Sequence, residues 1–153
     1  MDFDEFYGTS YRKVYAAAFA FAGNSEVAAD AAQEAFVRAF ARWSRLRNEQ
    51  WIEGWVMTTA MNLCRRSLRR RLRIASSAES VGAQPPSLDA VEVVEALRQL
   101  SPRQRMAIVL HYLTDMPVTE VARSMEVSEG TVKAHLAQAR RRLRPLLEVT
   151  DGG

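Results

Sequence analysis

Residues 61–73, Met-Asn-Leu-Cys-Arg-Arg-Ser-Leu-Arg-Arg-Arg-Leu-Arg, hold six arginines and no acid. Just ahead of them stand Trp51, Trp55, Thr58 and Thr59. Aromatic faces stack on unpaired bases, and guanidinium groups hold phosphates. Trp51, Trp55, Thr58, Asn62, Arg65, Arg66, Arg69 and Arg70 on one helix therefore suit single-stranded or opened nucleic acid. The two tryptophans read equally well as core residues. An arginine run uninterrupted by acid favours a polyanion over a merely solvated helix end.

A second stretch is Val118-Thr-Glu-Val-Ala-Arg-Ser-Met-Glu-Val-Ser-Glu-Gly-Thr-Val-Lys-Ala-His-Leu. It reads as two helices around a tight Glu126-Val127-Ser128 turn. Val121, Ala122 and Met125 face the second helix, Val127 plugs the turn, and Val132 and Leu136 anchor it from behind. This is a helix-turn-helix pattern, whose second helix enters the major groove of duplex DNA. Thr131, Lys133, Ala134, His135 and Gln138 fall on its outward face. Lysine reaches a guanine edge or a phosphate, and glutamine pairs with adenine. Arg140, Arg141, Arg142 and Arg144 follow at phosphate-binding positions.

The third stretch, residues 28–40, carries Asp30, Gln33, Glu34 and Arg38 on the polar side of an amphipathic helix. Spacing alone gives a solvated face with a Glu34–Arg38 pair. Enzyme chemistry finds no footing elsewhere. The lone Cys64 excludes an internal disulfide and a cysteine-cluster zinc site, and His111 and His135 are far apart. There is no phosphate-binding glycine loop and no activated Ser-His-Asp arrangement. We therefore expect no metal, no cofactor and no catalysis. The longest apolar run, Val14 to Ala22, is short of the about 20 residues that span a bilayer. The acidic start, Met-Asp-Phe-Asp-Glu, is unlike a secretory signal. A cytoplasmic protein without membrane insertion is expected.

The elements that must position these groups are all helical. The 153 residues are 48% hydrophobic and 25% charged, a globular balance, with only 7 glycines and 5 prolines. Helical spacing predicts one helix over residues 3–21, with Phe3, Tyr7, Tyr11, Val14, Tyr15 and Ala18 on a stripe. Ser25 then caps a second helix that turns Ala28, Ala32, Ala35, Phe36, Ala39 and Phe40 inward. A polar connection over 44–50 leads to a third helix, from near Trp51 to about Arg73. Its apolar stripe is Ile52, Val56, Ala60, Cys64, Leu68 and Leu72. Small polar residues and two prolines over 75–88 read as a flexible linker. Beyond it, Ser101-Pro-Arg-Gln104 is a capping box with proline at the first helical position. It opens a helix to about Thr114 with Met106, Val109, Leu110 and Leu113 inward. Ser128 caps the last long helix. Each half is small, and the fold expected is all-α: two small helical domains joined by the flexible linker.

Taken together and in order, the three stretches resemble bacterial sigma-70 family initiation factors of the small extracytoplasmic-function (ECF) type. The segment Asp30…Gln33-Glu34-Ala-Phe is similar to the part of region 2 that binds the coiled coil of the largest RNA polymerase subunit. The resemblance thus gives Asp30, Gln33, Glu34, Phe36 and Val37 a core-binding role that spacing alone did not. Trp55 through Arg71 looks like the part of region 2 that melts and reads the minus-ten element. Leu100-Ser-Pro-Arg-Gln-Arg through Leu143 looks like region 4, which reads the minus-thirty-five element, here through Thr131, Lys133, Ala134, His135, Gln138 and Arg141. The resemblance implies region 2 over 1–73, a linker over 74–88 and region 4 over 89–153. It also implies core RNA polymerase (coiled coil and flap), promoter DNA and an anti-sigma factor as partners. This chain departs from the family at Ala60-Met61-Asn62, where Ala-Arg-Asn is common, at Arg66, and at Pro117.

Two other classes compete. Val127-Ser-Glu-Gly-Thr-Val-Lys-Ala-His-Leu also looks like the DNA-binding domain of LuxR-type regulators, which act on palindromic duplex sites as dimers. That reading leaves Gln33, Glu34 and the arginine-rich helix unused. A pure interaction protein, binding polymerase without initiating, is the third.

Overall fold

The computed structural model describes residues 1–75 and 88–151, and among them the regular structure is helical throughout. Asp2 caps α1 (Phe3–Ala22) by accepting the Glu5 N–H at 2.8 Å, and Asp4 and Glu5 favour its positive end. Gly23 ends it in the left-handed region (φ 67°) and donates its N–H to Phe19 O at 2.7 Å. The cap of α2 (Ser25–Ala41) is Asn24, not Ser25: its side chain accepts from the Val27 N–H at 3.0 Å. A one-turn helix, α3 (Trp43–Leu46), interrupts the expected polar connection because Leu46 finds the core. The long α4 (Ile52–Ala75) follows.

Helices α1, α2 and α4 pack as a bundle whose interior is built largely from alanine. Ala18, Ala28, Ala32, Ala35, Ala39 and Ala60 are fully buried, so backbones approach closely. Phe6, Phe21, Phe36, Met57 and Met61 fill the remaining space. Phe3, Tyr7, Tyr11, Tyr15 and Phe19 form a ladder of neighbouring rings along α1. Phe36 packs against Phe3, Phe6, Tyr7 and Tyr11 of this helix. Cys64 sits deep in the bundle, its thiol 3.8 Å from Ala18 O.

The second half comprises α5 (Leu88–Arg98), α6 (Pro102–Ile108), a π-helical turn (Val109–Leu113), α7 (Val118–Met125) and α8 (Glu129–Asp151). The capping box forms as expected: Ser101 Oγ accepts the Gln104 N–H, and Gln104 Oε1 accepts the Ser101 N–H. Helices α7 and α8 make the helix-turn-helix, with Val121, Ala122, Met125, Val132 and Leu136 buried. Ser128 Oγ caps α8 by accepting the Thr131 N–H at 3.1 Å. Of the linker read over 74–88, residues 76–87 lie outside the described residues; Ile74 continues α4 and Leu88 begins α5.

Three inward assignments are corrected. Phe40 is 63% exposed, because the α2 interior is satisfied by the alanines and Phe36. Leu72 is 73% exposed, because α4 runs past the ends of its bundle partners. Leu113 is outward because the π-turn widens the helix: Thr114 N–H donates to Val109 O, five residues back, and the 3.6-residue phase slips.

Two outcomes follow from local chemistry. Glu126 closes α7 in the left-handed region (φ 58°), where a side chain costs about 1 kcal/mol. Glu126→Gly is expected to stabilise the protein by about that amount, read as a higher urea midpoint with unchanged slope. Burial pushes the Cys64 thiol up to about 12. At pH 8 only about one thiol in ten thousand is then ionised. Ellman's reagent should therefore leave the native protein essentially unlabelled and titrate one thiol in denaturant.

Candidate nucleic-acid and polymerase interfaces

The outward face of α2 is a single stripe. Asp30, Gln33, Glu34 and Val37 recur at helical spacing, all exposed, and Phe40 extends the stripe by one turn. Glu34 pairs with Arg38 at 3.2 Å, as spacing predicts, and Gln33 Nε2 donates to Tyr7 Oη at 3.2 Å. Phe40 meets Phe3 edge-on at 5.0 Å between ring centroids. Phe36 lies on the opposite side, 2% exposed, and belongs to the core and not to this surface. Sequence reasoning missed Phe40 as a surface residue. Its signal was the register, since Phe40 is three residues on from Val37.

Helix α4 carries its candidates in two groups. Asn62, Arg66, Arg69 and Arg70 are exposed on its C-terminal half. Leu63, Arg66, Ser67, Arg69, Arg70 and Leu72 line a shallow groove of about 750 Å³ there. Among the described residues Arg66, Arg69 and Arg70 make no ion pair, while Arg71 reaches Glu26 on α2 at 3.6 Å. Arg65 is half-buried, with its Nε enclosed and unpartnered. The other group faces inward. Thr58 is 8% exposed and its hydroxyl has no hydrogen-bond partner. Trp51 and Trp55 are partly buried; Arg42 lies over the Trp55 ring at 5.9 Å, and Trp55 O accepts from Thr59 Oγ1.

Helix α8 presents Lys133, Ala134, Gln138 and Arg141 to solvent. Thr131 is part-buried and shares a 2.9 Å hydrogen bond with Ser128. His135 is part-buried, with Nδ1 unpartnered. Gln138 accepts from Gln104 Nε2 at 3.0 Å. Two arginines of the basic tail are engaged at home: Arg140 donates to Tyr112 Oη and Arg142 to Gln99 O. Arg141 and Arg144 carry the exposed charge between and beyond them.

A different pair of arginines joins the two halves: Arg98 Nη2 donates to Gly23 O at 3.4 Å, and Arg105 reaches the same helix end. Arg105 Nη1 donates to Phe21 O at 2.9 Å and Nη2 to Leu100 O at 3.3 Å. Its guanidinium lies 4.7 Å from the centroid of the Phe21 ring. Burial, and secondarily the neighbouring Arg98, hold the Arg105 pKa below its ordinary value. Among the described residues no cluster of His, Cys, Asp and Glu could hold a metal ion, and no helix is long and apolar enough to cross a membrane.

This helical protein thus presents three exposed faces, two of them cationic. Comparison with known proteins gives its family. Residues 6–74 match the model for sigma-70 region 2, and residues 90–143 match that for sigma-70, region 4. The ECF RNA polymerase sigma factor SigM of Mycobacterium tuberculosis is 30% identical over 156 residues, spanning 99% of this chain and 80% of that protein. The RNA polymerase sigma-E factor of Streptomyces coelicolor is 26% identical, spanning 99% and 89%. Among solved structures, the sigma factor RpoE of Bartonella quintana, in complex with the anti-sigma factor NepR, is similar at a TM-score of 0.80. It is 27% identical over 97% of this chain and 98% of that one. CnrH, solved with the cytosolic domain of CnrY, shares the fold at a TM-score of 0.74 and 22% identity, over 96% of this chain and 88% of that one. The chain belongs to the sigma-70 family, among the ECF RNA polymerase sigma factors. Members are transcription initiation factors, not enzymes, and their partners are core RNA polymerase and promoter DNA.

Proposed function

We propose that this chain directs promoter-specific initiation as a two-contact reader. Residues 1–73 dock on core polymerase through Asp30, Gln33, Glu34 and Val37, extended by Phe40. They hold the opened minus-ten strand through Asn62, with Trp51, Trp55 and Thr58 nearby, while Arg65, Arg66, Arg69 and Arg70 neutralise phosphates. Residues 89–153 grip the minus-thirty-five duplex through Thr131, Lys133, Ala134, His135, Gln138 and Arg141. The polymerase fixes the separation of the halves, so that two modest contacts combine as one tethered interaction. We place this activity in the cytoplasm. The observation that carries the reading is the division of labour among surfaces: a mixed polar and apolar stripe on α2, the exposed Arg66, Arg69 and Arg70 of α4, which make no ion pair among the described residues, and a capped helix, α8, with Lys133 and Arg141 exposed. The RpoE relative in complex with NepR supports an anti-sigma factor for this chain as well.

In vitro transcription with purified core polymerase and genomic fragments tests the reading. Specific start sites should arise only when the protein is added. Binding to a palindromic duplex as a dimer, without core binding or initiation, would instead support a LuxR-like regulator.

Three variants separate the surfaces, and a fourth probes the core beneath one of them. Arg69→Gln with Arg70→Gln should flatten the salt dependence of opened-strand binding by the holoenzyme, reducing the log–log slope by about 1.4. Lys133→Ala should weaken upstream-duplex binding by about 1–3 kcal/mol if it reads a base, and leave opened-strand binding unchanged. Phe40→Asp should weaken core binding at least tenfold in a pull-down titration with little loss of stability, whereas Phe36→Ala should cost about 3–5 kcal/mol in urea denaturation.

A further inference from the structure

Gln138 is exposed on α8, one turn beyond Ala134 and one turn before Arg141. A glutamine amide has two ends, a carbonyl that accepts and an amino group that donates. It pairs with adenine when both are free: Oε1 accepts from N6 while Nε2 donates to N7. Here one end is already engaged, since Gln138 Oε1 accepts from Gln104 Nε2 at 3.0 Å.

The direction of that bond is set by the start of α6. Gln104 Oε1 accepts the Ser101 N–H at 3.3 Å and so completes the capping box. A backbone N–H can only donate, so it holds the Gln104 carbonyl toward Ser101 and leaves Nε2 for the other side. That amino group can only donate in turn, so the Gln138 atom that meets it is Oε1. Polarity thus runs unbroken from Ser101 N–H through the Gln104 amide to Gln138. Gln104 is half-buried, and its backbone N–H is held by Ser101 Oγ at 3.2 Å, so the relay starts from a fixed point. What Gln138 offers outward is Nε2, a donor. Its stripe supplies no substitute acceptor: Ala134 has no polar side-chain atom, Arg141 only donates, and the Thr131 hydroxyl is shared with Ser128.

We infer that Gln104 is a positioning residue for base recognition: through the capping box it fixes Gln138 as a donor, and the base beneath Gln138 is read as guanine, whose N7 and O6 both accept, in preference to adenine, whose N6 amino group meets a second donor. The base preference rests on the proposal that α8 reads the minus-thirty-five duplex; the hydrogen-bond relay does not. One substitution reverses the relay and keeps the cap. In Gln104→Glu the carboxylate still accepts the Ser101 N–H, because glutamate serves a capping box as glutamine does. It cannot donate to Gln138, so the Gln138 amide turns over, gives Nε2 to the carboxylate and presents Oε1. The added negative charge weakens DNA binding at every sequence alike, and a ratio between two bases removes that effect.

The test uses holoenzyme assembled from core polymerase and the full chain. It is equilibrated with promoter fragments randomised across the minus-thirty-five element, and the retained fragments are sequenced. The position whose preference Gln138→Ala abolishes is the one Gln138 reads. There wild type should retain guanine over adenine at least fivefold. Gln104→Glu should lower that ratio at least fivefold, with preferences elsewhere in the element unchanged. Gln104→Leu keeps the Ser101 Oγ cap and frees the Gln138 amide to turn either way, so its ratio should fall between the two. Preference for adenine at that position in wild type, a ratio indifferent to both Gln104 variants, or a Gln138→Ala variant that alters no position overturns the inference. The relay is read without DNA by NMR of the free chain. A Gln104 Nε2 proton should move upfield in Gln138→Ala and downfield in Gln138→Glu, where the acceptor becomes a carboxylate. Signals that do not move in opposite directions overturn the relay. Holoenzyme with no sequence preference anywhere in the element refutes the duplex-reading proposal, and with it the base preference, and leaves the amide signals to decide the relay.

Discussion

A helix has one circumference, and α4 has to divide it among three claims. Val56, Ala60 and Cys64 turn toward α1 and α2; Gly54 meets Ser124 and Met116; Asn62, Arg66, Arg69 and Arg70 remain in water. The division changes along the helix. Its first turns are enclosed on two sides, whereas its last turns extend beyond the bundle and are almost bare. The charge follows that gradient, since a guanidinium row is tolerable only where hydration is retained. Both the bundle and the arginine surface thus depend on where α4 enters and leaves its partners.

What was legible in the sequence was set by how far along the chain each interaction reaches. Local signals were legible: the Ser101–Gln104 box, the Ser128 cap, the Glu34–Arg38 pair and the helix-turn-helix core all involve residues a few positions apart. The outward stripe of α2 was legible as a face, although spacing could not say what it meets. Leu72 was not, because periodicity cannot tell where a helix outruns its neighbours; Phe40 was placed inward although its register with Val37 puts it on the outward stripe. Leu113 was lost to a π-turn whose extra residue leaves no mark in the hydrophobic pattern. Thr58 was read as outward because a hydroxyl on a polar face has no local reason to be buried. Its burial is a tertiary outcome that spacing within α4 does not record.

The basic tail shows how little a run of like charges says about use. Arg140, Arg141 and Arg142 are consecutive, yet Arg140 serves Tyr112, Arg142 serves Gln99, and Arg141 is left exposed between them. In α4, likewise, Arg71 is drawn to Glu26 while Arg69 and Arg70 make no ion pair among the described residues. Helical phase distributes neighbouring charges to different partners, so a charge count overstates the surface available to a polyanion.

The alanine interior of the first bundle carries a consequence for how this chain can vary. A core of large side chains tolerates modest trimming, because a cavity is confined to its own neighbourhood. Here the reverse holds: Ala18, Ala32, Ala35, Ala39 and Ala60 are already minimal, and any longer side chain must push a whole helix aside. Drift at these positions is closed in the direction of growth. Divergence among descendants of this sequence should therefore accumulate on outward stripes and in the second half, with the spacing of α1, α2 and α4 inherited almost unchanged.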